Sequence, residues 1–180
     1  MLVTRNHIPI FTSWDCVGGH CIPVYPRLYL STDPDASVVR TARTYNAGMP
    51  EYVVSRVEEV LGGLKDLKVA VLGASYRGAV KETAFSGVFA TVDALRKRGA
   101  KVLVHDPMFS DEELAGFGWE PYHFGEEITA AIVQADHAEY QSISAKDLPG
   151  IKLLFDGRRI TNPQLWKGTP RMVIGNRASQ

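Results

Sequence analysis

The spacing of hydrophobic positions changes character partway along the chain. From residue 68 onward, short aliphatic runs recur: KVAVLG at 68–73, KVLVHD at 101–106, AAIVQA at 130–135, IKLLFD at 151–156 and RMVIG at 171–175. Each is nearly continuous in apolar residues, the pattern of a strand buried on both faces of a parallel sheet. Residues 83–98 repeat their apolar positions at helical intervals and end in Arg96-Lys97-Arg98 before Gly99. Cations and a glycine at that end suit a helix C-terminus. Alternation of this kind predicts an α/β fold, a doubly wound parallel sheet with helices on both faces.

Upstream the period is different. Val38, Val39, Ala42, Tyr45, Met49, Val53, Val57, Val60 and Leu61 recur at three- and four-residue intervals. They predict one long helix over 33–64, with Asp33 as its cap, Pro34 in its first turn and Gly62-Gly63 at its end. Pro50 falls inside that pattern and predicts a kink or a division, because it removes a backbone donor and crowds the preceding turn. Its apolar stripe needs a cover, so the helix reads as a connector or a dimerisation element. Residues 1–32, punctuated by Gly18, Gly19, Pro23 and Pro26, read as loop. The organisation expected is therefore an N-terminal segment 1–32, a central helix 33–64 and a domain over 65–180.

Composition narrows the partners. Lysine plus arginine and aspartate plus glutamate each number 20 in 180 residues, so the formal net charge is zero. No excess of positive charge points to nucleic acid or an anionic membrane. No run approaches the ~20 apolar residues that span a bilayer, and the first 16 residues lack the apolar core of a signal peptide. A cytoplasmic location follows as the expectation, with Cys16 and Cys21 as free thiols. Two cysteines alone make a poor zinc site, and no metal is expected.

Three places have residues suited to chemistry. The first strand runs into a turn over 73–78 with a glycine at each end. Beyond a strand's carboxyl end, such a turn either brings backbone N–H groups to a phosphate or simply joins strand to helix tightly. Its spacing is not the dinucleotide fingerprint G-x-G-x-x-G. Asp106 ends the second strand, where it either meets a ribose or, with Pro107, terminates the strand. Asp156-Gly157-Arg158-Arg159 follows another strand, and its guanidinium groups either bind phosphate or form a solvated pair. The third place is Val17-Gly18-Gly19-His20-Cys21-Ile22-Pro23-Val24-Tyr25-Pro26. Here Cys21 is either an accessible nucleophile or a structural cysteine.

In order along the chain, GGHCIPVYP, Asn46 with MPEYVV, VAVLGASYRGAVKETAFSG, VHDP and FDGRR resemble the UDP-glucose/GDP-mannose dehydrogenase family. The HCIP variant resembles the branch acting on UDP-N-acetyl-mannosamine and related sugars. The resemblance covers roughly residues 17–176 and implies a Rossmann-like UDP-binding domain. It also implies an NAD-dependent double oxidation of a UDP-sugar C6 alcohol to a uronate. Cys21 would be the catalytic nucleophile, passing through a thiohemiacetal and a thioester. Gly18, Gly19, Tyr76, Arg77, Arg158 and Arg159 would bind the nucleotide sugar. His20, Ile22 and Pro23 would lie against the NAD, which a separate domain or chain would hold, and the long helix would pair two copies.

The sequence departs from the family pattern at several positions. Tyr25 stands where the family usually has an aspartate, Ala84 where many members have an arginine near the cofactor, and Lys81-Glu82 where an acidic pair is usual. The family's NAD-binding domain, with its lysine and asparagine, has no counterpart in these residues. Hydride transfer collapses without a positioned nicotinamide. The expectation is thus a chain inactive on its own, or alternatively a non-catalytic nucleotide-sugar-binding module.

Overall fold

The computed structural model describes residues 16–175. The reading of the N-terminal stretch before Cys16 lies outside the described residues, as do the last residues of the 65–180 region. Six strands form one parallel sheet: β1 (Lys68–Leu72), β2 (Lys101–His105), β3 (Glu120–Pro121), β4 (Ala130–Val133), β5 (Leu153–Asp156) and β6 (Arg171–Val173). Their order is β3-β2-β1-β4-β5-β6. The chain moves outward in one direction from β1 and in the other from β4. Right-handed crossovers then place the two sets of connections on opposite faces, which is the doubly wound arrangement the alternation predicts.

Successive residues of β1 show why its run is apolar throughout. Val69 and Val71 join a core with α2 (Ser37–Leu61), α3 (Val88–Lys97) and Leu114 of α4 (Asp111–Gly116). Ala70 and Leu72 face the other way, toward Tyr122, Tyr140, Ile143, Leu148 and Trp166. That second layer is built from 3₁₀ turns and loops instead of long helices, with large side chains filling the space. Arg98, just past α3, donates to Glu58 at 2.8 Å and also pairs with Glu51, which ties α3 to α2.

Several boundaries differ from the sequence reading. Residues 21–32 are not loop: they form a helix, α1 (Cys21–Thr32). Pro23 occupies the first turn, where its missing N–H has no intrahelical partner to lose, and Pro26 forgoes one bond. Pro50 does not divide α2, whose N-cap is Ala36 instead of Asp33. The helix expected from residue 83 begins only at Val88, because Phe85 adopts φ 52° and turns the chain. α4 and the two-residue edge strand β3 were not anticipated. α4 carries a capping box between Ser110 and Glu113, whereas β3 is too short to show any period.

The sheet face toward α2 should dominate stability. Phe155 is 1% exposed there, and Phe155→Ala is expected to cost about 3–5 kcal/mol in urea unfolding. Lys152→Ala, at an exposed side chain just before β5, should stay within about 0.5 kcal/mol. Similar costs for the two would contradict this placement of the core.

Candidate functional site

β1 and β4 are neighbours whose following connections leave in opposite directions, so the crevice beyond their carboxyl ends is where an open α/β sheet takes a ligand. Two loops meet there, 73–87 after β1 and 134–137 after β4. Their backbones touch: a Cβ on Gly78 would collide with the carbonyl of Asp136, and one on Gly73 would collide with Ala135. The amides of Gly73, Ala74, Ser75, Tyr76, Gly78 and Ala79 in the first loop are already engaged. Gly73 N–H donates to the His105 carbonyl at 2.7 Å, Ala74 and Ser75 to Asp106 Oδ2 at 2.8 and 3.1 Å, and Tyr76 to the Glu82 carbonyl at 3.1 Å. Gly78 N–H reaches Asp136 Oδ1 at 2.8 Å and Ala79 N–H reaches His137 Nδ1 at 3.4 Å. The glycine turn is therefore not a backbone cradle for phosphate, and it does not fit a dinucleotide's diphosphate. Asp106, 3% exposed, holds the turn and presents nothing to a ribose.

What the turn presents is side chains. Tyr76 is half-buried and Arg77 exposed, with the guanidinium 5.8 Å from the Tyr76 ring centre. Arg158 lies beneath them, 4% exposed, with Nη2 3.0 Å from Asp136 Oδ1 and 3.4 Å from the Tyr76 carbonyl. Arg159 diverges: it adopts φ 56° and donates to the Ile174 carbonyl at 2.8 Å, beyond the end of β6. The structure thus brings Arg158, but not Arg159, to Tyr76 and Arg77.

The cysteine motif packs against the same turn. A Cβ on Gly18 would stand 2.6 Å from the Phe85 carbonyl oxygen and 2.8 Å from Tyr76 Cβ, so only glycine permits this approach. Gly19, at φ 84°, donates to the Ala84 carbonyl at 3.2 Å and lies over the Tyr76 ring. Asn46 of α2 clamps the other side, accepting from Val17 N–H at 2.8 Å and donating to the Val17 carbonyl at 3.1 Å. The exposed Cys21 opens α1, where a helix offers N–H groups without intrahelical partners. Cys16, buried behind the motif, accepts from the Gln134 side-chain amide at 3.8 Å. His20 turns toward Glu82, with Nε2 3.3 Å from Oε2. Ile22 is 63% exposed, and Tyr25 stands one turn beyond Cys21, also exposed. Pro23 is buried and lines a small cavity with Arg43 and Asn46.

Asp136 and His137 escaped the sequence reading. The signal was available: two polar residues directly after a buried strand, at the carboxyl edge of the sheet. Burial alone would raise the Asp106 carboxyl, but the His137 hydrogen bond and the N–H groups of Met108 and Ser75 outweigh it and hold it below the usual carboxylate range. Asp136 behaves likewise: burial opposes ionisation, while Gly78 N–H and the Arg158 guanidinium favour it more strongly. With both values depressed in the fold, their stabilisation is fully present above about pH 4 and is lost as the pH falls through the native values. Asp106→Asn, which turns an amide N–H₂ toward donors, should cost about 1–3 kcal/mol at neutral pH. The gap from the parent should close toward about pH 3 as the parent's own carboxylates protonate. Urea unfolding across that range checks this, and a gap that stays constant would contradict it.

The comparisons with known proteins agree with this geometry. Residues 70–163, more than half of the chain, match the UDP-glucose/GDP-mannose dehydrogenase family, UDP binding domain. A UDP-N-acetyl-D-mannosamine dehydrogenase of Methanococcus vannielii is 31% identical over 175 residues, covering 90% of this chain and 40% of the relative. The corresponding protein of Methanocaldococcus jannaschii is 30% identical over 172 residues, covering 89% and 39%. Among solved structures, a UDP-D-ManNAc dehydrogenase from Pyrococcus horikoshii superimposes with a TM-score of 0.76 at 28% identity, over 96% of this chain and 42% of that one. The chain thus spans about 40% of the length of these curated relatives. On the profile match over its sheet domain, the chain belongs to the UDP-glucose/GDP-mannose dehydrogenase family.

Proposed function

We propose that this chain is the nucleotide-sugar-binding and cysteine-bearing portion of an NAD-dependent UDP-sugar 6-dehydrogenase. It is organised as the motif segment 1–32, the central helix 33–64 and the UDP-sugar domain 65–180. The observation that carries the reading is the seating of Gly18 and Gly19 on Tyr76, which places the Cys21 motif beside Tyr76 and Arg77. Arg77 supplies exposed positive charge for a diphosphate and Tyr76 a flat surface, while Arg158, anchored on Asp136, adds charge from beneath. Gly18 and Gly19, seated on Tyr76, form the wall of the pocket that meets the sugar.

Cys21 then adds its sulfur to the C6 aldehyde to give a thiohemiacetal; loss of a hydride from that carbon and of the hydroxyl proton gives the thioester, which water hydrolyses to the carboxylate and the free thiol. A nicotinamide cofactor supplies the hydride acceptor for this chemistry. The described residues do not fit it, so we place its binding outside them, with the exposed His20 and Ile22 as the surface it meets.

UDP or UDP-glucose at a hundredfold excess over its dissociation constant should stabilise the chain by about 2.7 kcal/mol, seen as a raised melting temperature. NAD alone should not raise it. Cys21→Ser should preserve the shift and Arg77→Ala should reduce it. Absence of a shift with both UDP ligands would overturn the binding reading. The exposed Tyr25 beside Cys21, in place of the usual carboxylate, favours a second reading, a binding module without catalysis. Mixing the chain with a separate NAD-binding domain, UDP-sugar and NAD separates the two: NADH formation supports the enzyme, and none under any mixture supports the module.

The outer face of α2 exposes Val38 (80%), Tyr45 (73%) and Tyr52 (47%), beside an apolar groove of about 550 Å³ that includes Met49 and Ile174. We place a second copy of the chain on this face. Light scattering should report a dimer that Tyr45→Glu converts to monomer, and a monomeric parent would refute it.

A further inference from the structure

We propose that His137 is a positioning residue that sets the turn carrying Tyr76 and Arg77, acting as a neutral bridge between the downstream foot of that turn, which it bonds directly, and Asp106, which holds the upstream foot. The upstream foot is Ala74-Ser75, whose amides are held by Asp106 Oδ2. The downstream foot is Gly78-Ala79, whose amides dock on the two consecutive side chains after β4, Asp136 and His137. Among the described residues, His137 is the one of these three acceptors that bonds both an amide of the turn and a second acceptor, Asp106. Its Nε2 lies 3.1 Å from Asp106 Oδ2, and its Nδ1 faces the Ala79 amide. An amide N–H can only donate and a carboxylate can only accept, so the ring carries its proton on Nε2 and leaves Nδ1 bare.

Two further observations fit this role. The ring is 2% exposed and packs edge-on to Tyr140, with centroids 5.6 Å apart and planes at 77°, so its orientation is fixed. Ala79 adopts φ 55°, a left-handed conformation that residues with a Cβ seldom take without outside support. The His137 bond to its amide is part of that support. Losing it would leave the downstream foot on the Gly78–Asp136 bond and let Tyr76 and Arg77 shift relative to the cysteine motif.

The functional half of this inference rests on the proposed UDP-sugar site, so the test reads the turn and the ligand separately. His137→Gln places an amide donor where Nε2 was and has no acceptor at the Nδ1 position. His137→Asn does the reverse. In His137→Gln, hydrogen exchange at the Ala79 amide should accelerate while Ala74 stays protected. UDP-glucose affinity by calorimetry should fall about three- to tenfold, the worth of one lost hydrogen bond. In His137→Asn, Ala79 protection and affinity should hold while the melting temperature drops. Equal Ala79 exchange in both variants, or affinity that tracks melting temperature instead of Ala79 protection, would overturn the proposal. In the parent chain, the His137 ring nitrogens should report a proton on Nε2, and a proton on Nδ1 would overturn it without any variant. If the parent bound no UDP-glucose while Ala79 exchange still separated the variants, the UDP-sugar reading would fail and the positioning of the turn would stand.

Discussion

A single buried carboxylate organises the carboxyl edge of this sheet. Asp106 ends β2 and receives N–H groups from Ala74, Ser75 and Met108 together with the His137 ring. A buried charge is tolerable only when such donors surround it, and here they come from the loops after β1, β2 and β4. The arrangement therefore couples three loops that would otherwise be independent. The β1 turn has its shape before any ligand arrives, which lowers the ordering cost of binding.

That coupling decides how the site recognises its ligand. Many open α/β folds receive phosphate on the free amides of the first glycine turn. Here those amides face protein acceptors, so under the proposed function recognition falls to the Tyr76 and Arg77 side chains with Arg158 behind them. The same turn receives the cysteine motif, because Gly18 and Gly19 lack the Cβ atoms that would hold it away. The cysteine motif and the Tyr76-Arg77 turn are thus built on one rigid element, with Asn46 of α2 fixing the motif from the other side.

The sheet was legible in the sequence because continuous β-branched runs have few other uses, and five of the six strands follow them. β3 was not, since two residues at an edge carry no pattern. α1 runs against the loop that its prolines suggest, because Pro23 sits in a first turn that tolerates it. The motif around Cys21, Tyr76, Arg77 and Arg158 could be placed by its resemblance to a family. Nothing local distinguished Arg158 from Arg159: their divergence depends on the left-handed backbone at Arg159. Asp136 and His137 were passed over because their partners lie 58 residues away, across neighbouring strands.

The central claim is that ligand recognition uses the side chains of a turn whose amides are already bonded. A ¹⁵N-resolved titration with UDP tests it most directly. The account predicts the largest shifts at Gly18, Gly19, Tyr76 and Arg77 and at the Arg158 side chain, with the Ala74 and Ser75 amides nearly unmoved. Large shifts centred on Ala74 and Ser75, as a backbone phosphate cradle would give, would contradict it.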